Sequence, residues 1–327
     1  AYFYDKDETL LTRTTRKTPV CCWDTTDPNI IFVDHTAAGF GNGTSWEDAH
    51  PTLQDALSHA NQSKCAESYR IYIAEGSYTP GPLPSNSFLL PRDVSLYGGF
   101  PNGGSSFPGR DPDRYPTLLS GKISDDSRND AVVTMGQNTL LDGFTVTDAD
   151  LQNIYADGAD FTVQNCTVSN SMRNGLYALN GDIQVKWCTV SDNHYTGLYH
   201  KGEGHSAAVE NCRITGNSAY GIHTQRSTPT VLNCLITQNG SDTSSPNGIR
   251  IFLPCYPPVL YNNTIMYNHS HGISFVDDHD SSGDPNYLDW PDVQNCILWY
   301  NNDNQSQFAG FDETCTAYSC IQDCNEL

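Results

Sequence analysis

The chain has 327 residues, a formal net charge of −21 and twelve cysteines. Such a charge repels nucleic acid and anionic lipid, so we expect no nucleic-acid partner, and a cation, a neutral glycan or another protein fits better. No run of 18 apolar residues is present, so we expect no membrane insertion.

The first 68 residues are predicted to be an N-terminal extension with a capping segment. The start "AYFYDKDETLL" lacks the basic and apolar regions of a signal peptide, which favours an already mature form. An apolar strand near residue 30 leads through a glycine-rich turn to a helix that Thr52 can cap. Its apolar face, which we expect to cover the open end of the following repeat, holds Leu53, Ala56, Leu57 and Ala60.

Residues 69–327 are predicted to form a repeat. Aligned on one position, the units give spacings of 22 residues at first and of 24, 22, 29, 33 and 24 later, as loop insertions would. A period near 22 with short apolar/polar alternation is typical of a solenoid of β-strands. The aligned positions are Tyr78, Phe100, Lys122, Phe144, Cys166, Cys188, Cys212, Cys234, Asn263, Cys296 and Cys320.

Each unit is predicted to hold three strands. Two of them contribute ladders of apolar residues to the core: Val190, Ile214, Ile236, Ile265 and Leu298 on one, and Leu198, Ile222, Ile249 and Ile273 on the other.

An Asn-Cys pair marks one corner of most units. Asn tolerates the left-handed backbone that a sharp bend requires, and its amide can bond to the Asn one coil away. The Cys is expected to fill the corner as a small buried group. The structural residues predicted in this way are Asn165, Asn211, Asn233, Asn262, Asn295, Cys166, Cys188, Cys212, Cys234 and Cys296; Trp187 replaces Asn in one unit.

The remaining cysteines lie mostly near the two ends of the chain. We expect one disulfide from Cys65 to Cys21 or Cys22, and a second cluster among Cys315, Cys320 and Cys324. The absence of C-x-x-C argues against a zinc ribbon or a thioredoxin-type site.

Several stretches resemble a known family. "IFVDHTAAGFGNGTSWEDAHPTLQDAL", "VSLYGGFPNGG" and "RDPDRYPTLLSGKISDD" resemble the N-terminal part of secreted bacterial β-helix repeat proteins, and "VQNCILWYNN" resembles their late coils. The group is the right-handed parallel β-helix proteins of the pectate-lyase-like superfamily, and the resemblance covers roughly residues 30–327. It implies an all-β parallel β-helix in an extracellular or cell-surface, often glycan-related setting.

Enzymes of this fold work along one sheet, so the outward positions of the strand after each glycine are the first candidates. Those proposed as a glycan-binding face are Tyr177, Tyr199, His223 and Arg250. This column holds no carboxylate, whereas a lyase needs acidic calcium ligands with a base and a glycosidase needs two facing carboxylates.

Two insertions add further candidates, with a solvated acidic loop as the alternative interpretation of both. "YHKGEGHS" carries the acid/base candidates His200, Lys201, Glu203 and His205, which join His223 and Arg250 as residues to test for catalysis. "FVDDHDSSGD" carries the metal-ligand candidates Asp277, Asp278, Asp280 and Asp284, for which Ca²⁺ is the expected ion.

We therefore predict a secreted or cell-surface structural β-helix that acts as an adhesive, coat or filament-forming scaffold and contacts glycans. Head-to-tail self-association through an uncapped C-terminal end is expected. The alternative is a polysaccharide lyase or glycoside hydrolase.

Chelation tests the calcium hypothesis. If the carboxylates of Asp277, Asp278 and Asp280 bind Ca²⁺, excess EDTA lowers the melting temperature, because an ion that binds only the folded state stabilises it. Added Ca²⁺ should restore the original value in calorimetry. An unchanged melting temperature in EDTA would remove the metal hypothesis.

Overall fold

The computed structural model describes residues 2–4, 10–13, 29–62, 67–241, 247–276, 291–301, 307–309, 316–317 and 319–321. Within them the chain forms three parallel sheets, stacked coil on coil, with one α-helix and one short 3-10 helix, Phe107–Gly109. The predicted parallel β-helix with three strands per coil is confirmed. A separate antiparallel pair is formed by Tyr2–Tyr4 and Leu10–Arg13.

Sheet 1 has 11 described strands. They are Ile30–Val33, Tyr69–Ala74, Val94–Phe100, Thr139–Asp142, Phe161–Gln164, Ile183–Lys186, Ser206–Glu210, Thr228–Leu232, Val259–Tyr261, Asp292–Gln294 and Thr316–Ala317.

Sheet 2 has 10 described strands and follows sheet 1 in most coils. They are Gly76–Tyr78, Thr117–Ser120, Thr145–Thr147, Thr167–Ser169, Thr189–Ser191, Arg213–Thr215, Leu235–Thr237, Thr264–Met266, Ile297–Trp299 and Cys320–Ile321.

Sheet 3 has 9 described strands and completes each coil. They are Phe88–Leu89, Ala131–Thr134, Gln152–Asp157, Asn174–Leu179, Leu198–Lys201, Ile222–Gln225, Ile249–Phe252, Ile273–Val276 and Phe308–Ala309.

The predicted helix spans Leu53–Gln62, and its four apolar residues are all buried. Thr52 caps it, since its Oγ1 accepts the backbone N–H of Asp55 at 3.2 Å. The helix packs on the first strands of sheets 1 and 3, so it covers the end of the coil as predicted. Because Ile30–Val33 pairs with Tyr69–Ala74, sheet 1 already begins inside the segment assigned to the extension.

The 22-residue spacing holds from Leu141 onward, where paired residues follow at Val163 and Val185. It is wrong for the earlier part of the chain. Leu96 pairs directly with Leu141, and Tyr78 pairs with Leu119 in sheet 2 rather than lying at a sheet 1 corner. Two long connections, residues 101–116 and 121–130, enlarge this coil, so the alignment of Phe100 and Lys122 with later units fails.

The core lies between the three sheets and consists of stacked apolar side chains. All nine residues predicted to point inward are buried at 0% exposure. Parallel strands in register place like residues above one another about 4.8 Å apart, so each coil buries its apolar face only against its neighbours.

The corner between sheets 1 and 2 has the predicted left-handed backbone. The five corner Asn residues have φ of 51–58°, and Trp187 has φ 52°. Their side chains are exposed, and Asn165 donates its amide to the Asp142 carboxylate at 2.9 Å. The amide ladder predicted for this corner lies elsewhere.

A buried amide ladder occupies the corner between sheets 2 and 3. Each Nδ2–H donates to the Oδ1 of the next Asn at 2.8–3.0 Å, and that Oδ1 also accepts the backbone N–H of the preceding Asn. Gln307 ends the ladder by accepting the Asn301 amide at 2.8 Å. The ladder residues, each at most 1% exposed, are Asn193, Asn217, Asn239, Asn268 and Asn301.

The ladder explains the glycine that begins each sheet 3 strand. A Cβ at Gly221 would lie 2.9 Å from Nδ2 of Asn239 and 2.7 Å from the carbonyl oxygen of Gly248. No side chain fits there, so the buried amides and the glycine column depend on each other.

The five corner cysteines are buried free thiols, as predicted. Each thiol donates to a backbone carbonyl, as Cys212 does to Glu210, and burial raises the pKa of Cys296. Cys320 is exposed and pairs with Ile297, so Ser319 rather than Cys320 is the equivalent of Cys296. Of the predicted disulfide partners, Cys21, Cys22, Cys65, Cys315 and Cys324 lie outside the described residues.

Breaking the ladder should cost far more than changing a corner Asn. We expect Asn217→Ala to lower the free energy of unfolding by about 3–5 kcal/mol, because it leaves several buried polar groups without partners. Asn211→Gly should change it by less than about 1 kcal/mol, because glycine adopts the left-handed conformation freely. Denaturant unfolding compares the two, and equal losses would contradict the assignment.

Candidate functional site

The outer face of sheet 3 carries the predicted column of side chains. In register from coil to coil, Tyr177 adjoins Tyr199, then His223 and Arg250. Tyr155 extends the column by one coil. The sequence analysis missed it, although it precedes Tyr177 by 22 residues.

The three tyrosine rings stack on one another. The ring centroids of Tyr177 and Tyr199 are 4.7 Å apart with planes 8° from parallel, and Tyr155 follows at 6.3 Å and 15°. The ring faces are therefore used up inside the column, and a sugar ring cannot lie flat on them as expected from the sequence. Their edges and hydroxyls remain, and the Tyr199 hydroxyl donates to Gln225 at 2.8 Å.

An open groove runs beside the column. We call it the Tyr195 groove; its volume is about 490 Å³, and it is lined by Met172, Arg173, Asn174, Tyr177, His194, Tyr195 and Tyr199. Met172 and Tyr195 come from the turns between sheets 2 and 3 and are 41% and 51% exposed. The flat apolar surface that the column lacks is therefore provided by the neighbouring turn.

Asn174 supplies a polar group at the floor of this groove. Its side chain is only 6% exposed, and its Oδ1 is buried without a hydrogen-bond partner. A buried unpaired acceptor destabilises the free protein by about 1–3 kcal/mol. A donor from a ligand in the groove would remove that cost.

His223 and Arg250 form the polar end of the column. His223 packs against Tyr199 and Tyr220, and burial, with the Arg250 charge beside it, lowers the pKa of His223 to about 4. Its imidazole is therefore neutral at pH 7.

The Arg250 guanidinium lies 5.4 Å from the Tyr220 ring centroid and donates to the Tyr220 hydroxyl. Its Nε is buried and unpaired, and within the described residues it forms no ion pair. Tyr220, which sequence reasoning did not select, thus helps to hold a cation that has no carboxylate counter-charge.

The four candidates from "YHKGEGHS" do not converge on this site. His200 is fully buried in the coil interior, where its ring nitrogens contact Ser227 at 2.7 Å and the Gly181 carbonyl at 2.8 Å, and burial lowers its pKa. Lys201 and Glu203 are exposed. His205 lies at the start of sheet 1, 3.5 Å from Asp182.

The predicted metal ligands Asp277, Asp278, Asp280 and Asp284 lie outside the described residues. A different group of potential ligands is present: oxygen and nitrogen atoms of Asp160, Asp182 and His205 lie within 4.8 Å of one another. Both carboxylates already accept backbone N–H groups, Asp160 from Asp182 and Asp182 from Ser206. These bonds hold strand starts together without an ion.

The chemistry available on this face suits recognition. Neither the groove lining nor the described column contains a carboxylate, so the pair required for glycosidase chemistry is missing from these residues. Aromatic surface, an unpaired amide oxygen and a cation are present instead. These groups bind sugars and acidic substituents without reacting with them.

Comparison with known proteins supports the architecture. Residues 152–321 match the family described as right handed beta helix region. Among solved structures, pectate lyase Pel9A is 15% identical with a TM-score of 0.62, over 90% of this chain and 77% of that chain. A rhamnogalacturonan lyase is 14% identical with a TM-score of 0.57, over 90% and 87%. At these identities the likeness shows the fold alone. No curated protein matches the chain.

In the part of the chain that the structure describes, no helix is long and apolar enough to cross a membrane.

The depressed pKa of His223 predicts a pH-dependent stability. Below pH 6.5 the unfolded chain takes up a proton that the folded protein refuses until about pH 4, so stability falls as pH falls through this window. We expect His223→Gln to lose about 2 kcal/mol less than the wild type between pH 7 and pH 5. Comparing the two proteins subtracts the titration of the carboxylates, and parallel curves would contradict the assignment.

Proposed function

The chain belongs to the right-handed β-helix family, and from that premise we propose that it is an extracellular scaffold that binds a polysaccharide along the outer face of sheet 3. The observation that carries the proposal is the Tyr195 groove, in which an exposed aromatic ring lies beside the unpaired Oδ1 of Asn174. Rigid strands hold both, so binding requires little ordering.

The groove offers the two kinds of contact that sugars use. The face of Tyr195, 51% exposed, can cover the apolar C–H face of a pyranose, as aromatic side chains do in carbohydrate sites. A sugar hydroxyl donates a proton, and Asn174 Oδ1 lacks a donor. The ligand would therefore bind in one orientation.

The column beyond the groove fits a polymer. Successive coils lie about 4.8 Å apart, so Arg250, two coils beyond Tyr199, lies about 10 Å further along the axis. A chain parallel to the axis would pass over the tyrosine edges to the unpaired guanidinium. Arg250 would bind an acidic substituent there, since no described carboxylate neutralises it.

Cleavage by a lyase is the second candidate, and one observation favours it. His223 is neutral because its pKa is about 4, and it lies next to the Arg250 cation. In a β-elimination the cation would stabilise the carboxylate of a uronate while a neutral base takes the adjacent proton. The described column contains no acid to protonate the leaving oxygen, so we place binding first.

Binding should depend on Tyr195 and not on exposed tyrosine in general. Against plant and marine polysaccharides in affinity electrophoresis and calorimetry, we expect Tyr195→Ala to weaken binding at least tenfold, about 1.4 kcal/mol. Tyr267→Ala is the matched control, because Tyr267 is 54% exposed on a different corner. Equal affinities for Tyr195→Ala and the wild type would contradict the site.

The same panel separates binding from cleavage. We expect bound polysaccharide to remain uncleaved, with neither unsaturated products by ultraviolet absorbance nor new reducing ends. Turnover that disappears in both His223→Ala and Arg250→Ala would replace the scaffold by the lyase.

A further inference from the structure

A second groove lies on a different face of the coil. We call it the sheet 1 trough; its volume is about 590 Å³. The lining residues that matter here are Thr162, Gln164, Gln184, Lys186, Trp187 and Asp182. It crosses the outer face of sheet 1, whereas the polysaccharide face proposed above belongs to sheet 3.

Trp187 is the unusual residue of this trough. It occupies the corner where five other coils have Asn, and it has the same left-handed backbone, φ 52°. A bulky side chain is strained in that conformation, which Asn tolerates. The indole is 55% exposed, so burial does not account for its presence. Backbone strain at an exposed aromatic residue points to a function.

The backbone of Trp187 is held by the coil and leaves the ring free to face a ligand. Its N–H donates to the Glu210 carbonyl at 3.0 Å, and its neighbour Lys186 lies 3.7 Å from the Glu210 carboxylate. The platform is therefore positioned by ladder bonds that any corner residue would make. Only the side chain differs from the other coils.

Hydrogen-bonding groups line the strands beside the indole. Gln184 is exposed on the central strand, while Gln164 donates to Asp142 at 2.9 Å and is thereby held in place. Thr162 and Gln184 are in register on adjacent strands. Planar amides and hydroxyls next to an indole recognise the hydroxyls and the apolar face of a sugar.

The charges of the trough exclude other ligand classes. Lys186 is already paired with Glu210, and Asp160 and Asp182 lie at the far end, so an acidic glycan would meet uncompensated negative charge. An apolar peptide would find polar outward positions along the strands. A cation would use Asp160, Asp182 and His205 without needing the indole.

We propose that the sheet 1 trough is a second carbohydrate site, specific for a neutral oligosaccharide, with Trp187 as its stacking platform and Gln184 and Asp182 as hydrogen-bonding partners. This site is independent of the polysaccharide face on sheet 3. Either can bind if the other does not.

Trp187→Asn is the decisive variant, because Asn is the residue at the equivalent corner of five other coils. It removes the platform while relieving the backbone, so the melting temperature should stay the same or rise. Calorimetry against cello-, xylo-, manno- and malto-hexasaccharides should show saturable binding of one class by the wild type. Trp187→Asn should weaken that binding at least tenfold, and Gln184→Ala should weaken it severalfold.

Controls separate this site from the other surfaces. Tyr195→Ala should leave the affinity for the neutral hexasaccharide unchanged, whereas it weakens the polysaccharide binding proposed for sheet 3. Tyr300→Ala, which truncates a 49% exposed aromatic residue at another corner, should also have no effect.

Three results would overturn the proposal: no saturable binding of any of the four hexasaccharides, an unchanged affinity in Trp187→Asn, or loss of that affinity in Tyr195→Ala. Calcium binding that disappears in Asp182→Asn, without any sugar binding, would assign this region to a cation instead.

Discussion

The buried amide ladder is the interaction on which the rest of the coil depends. Each Asn between Asn193 and Asn301 needs the Oδ1 of its neighbour, or of Gln307 at the end, to pair groups that are almost completely excluded from water. An unpaired amide at this depth is expensive, so consecutive coils must keep the same corner geometry. Insertions are confined to the other connections.

That constraint determines what the outer faces can do. Coils held in register place equivalent side chains about 4.8 Å apart, which is close to the distance at which aromatic rings stack. Tyr177 and Tyr199 therefore cover each other, at 4.7 Å between centroids. Exposed ring faces occur instead where a residue departs from the column, as Tyr195 does on a turn and Trp187 at a corner. Recognition on such a regular surface depends on its irregular residues.

The same geometry separates residues that are neighbours in sequence. His200 and His205 are five residues apart, yet one is bonded inside the core and the other reaches a carboxylate at the edge of sheet 1. His223 and Arg250 are 27 residues apart and adjoin in register. Proximity along the axis is counted in coils, so a cluster of polar residues within one loop is a poor guide to a site.

The repeat, the three-stranded coil, the left-handed Asn corners, the buried thiols and the capping helix could all be predicted from the sequence, because each depends on local preference or on a periodic apolar pattern. The early alignment of Phe100 and Lys122 was wrong because spacing alone cannot distinguish a repeat from a coincidence across long loops. The amide ladder was assigned to the wrong corner, since Asn recurs at both and only burial separates them.

The functional surfaces lay largely beyond sequence reasoning. The column residues Tyr177, Tyr199, His223 and Arg250 follow from strand alternation, but Tyr195 and Asn174 belong to a groove created when turns of adjacent coils meet. Trp187 was visible as the exception among corner asparagines, although its exposure was not. The sequence by itself determined the period and the inward or outward direction of side chains, because backbone preference and hydrophobicity are local. Only the tertiary structure decided which ring faces, amides and charges remain free, since that depends on contacts between coils.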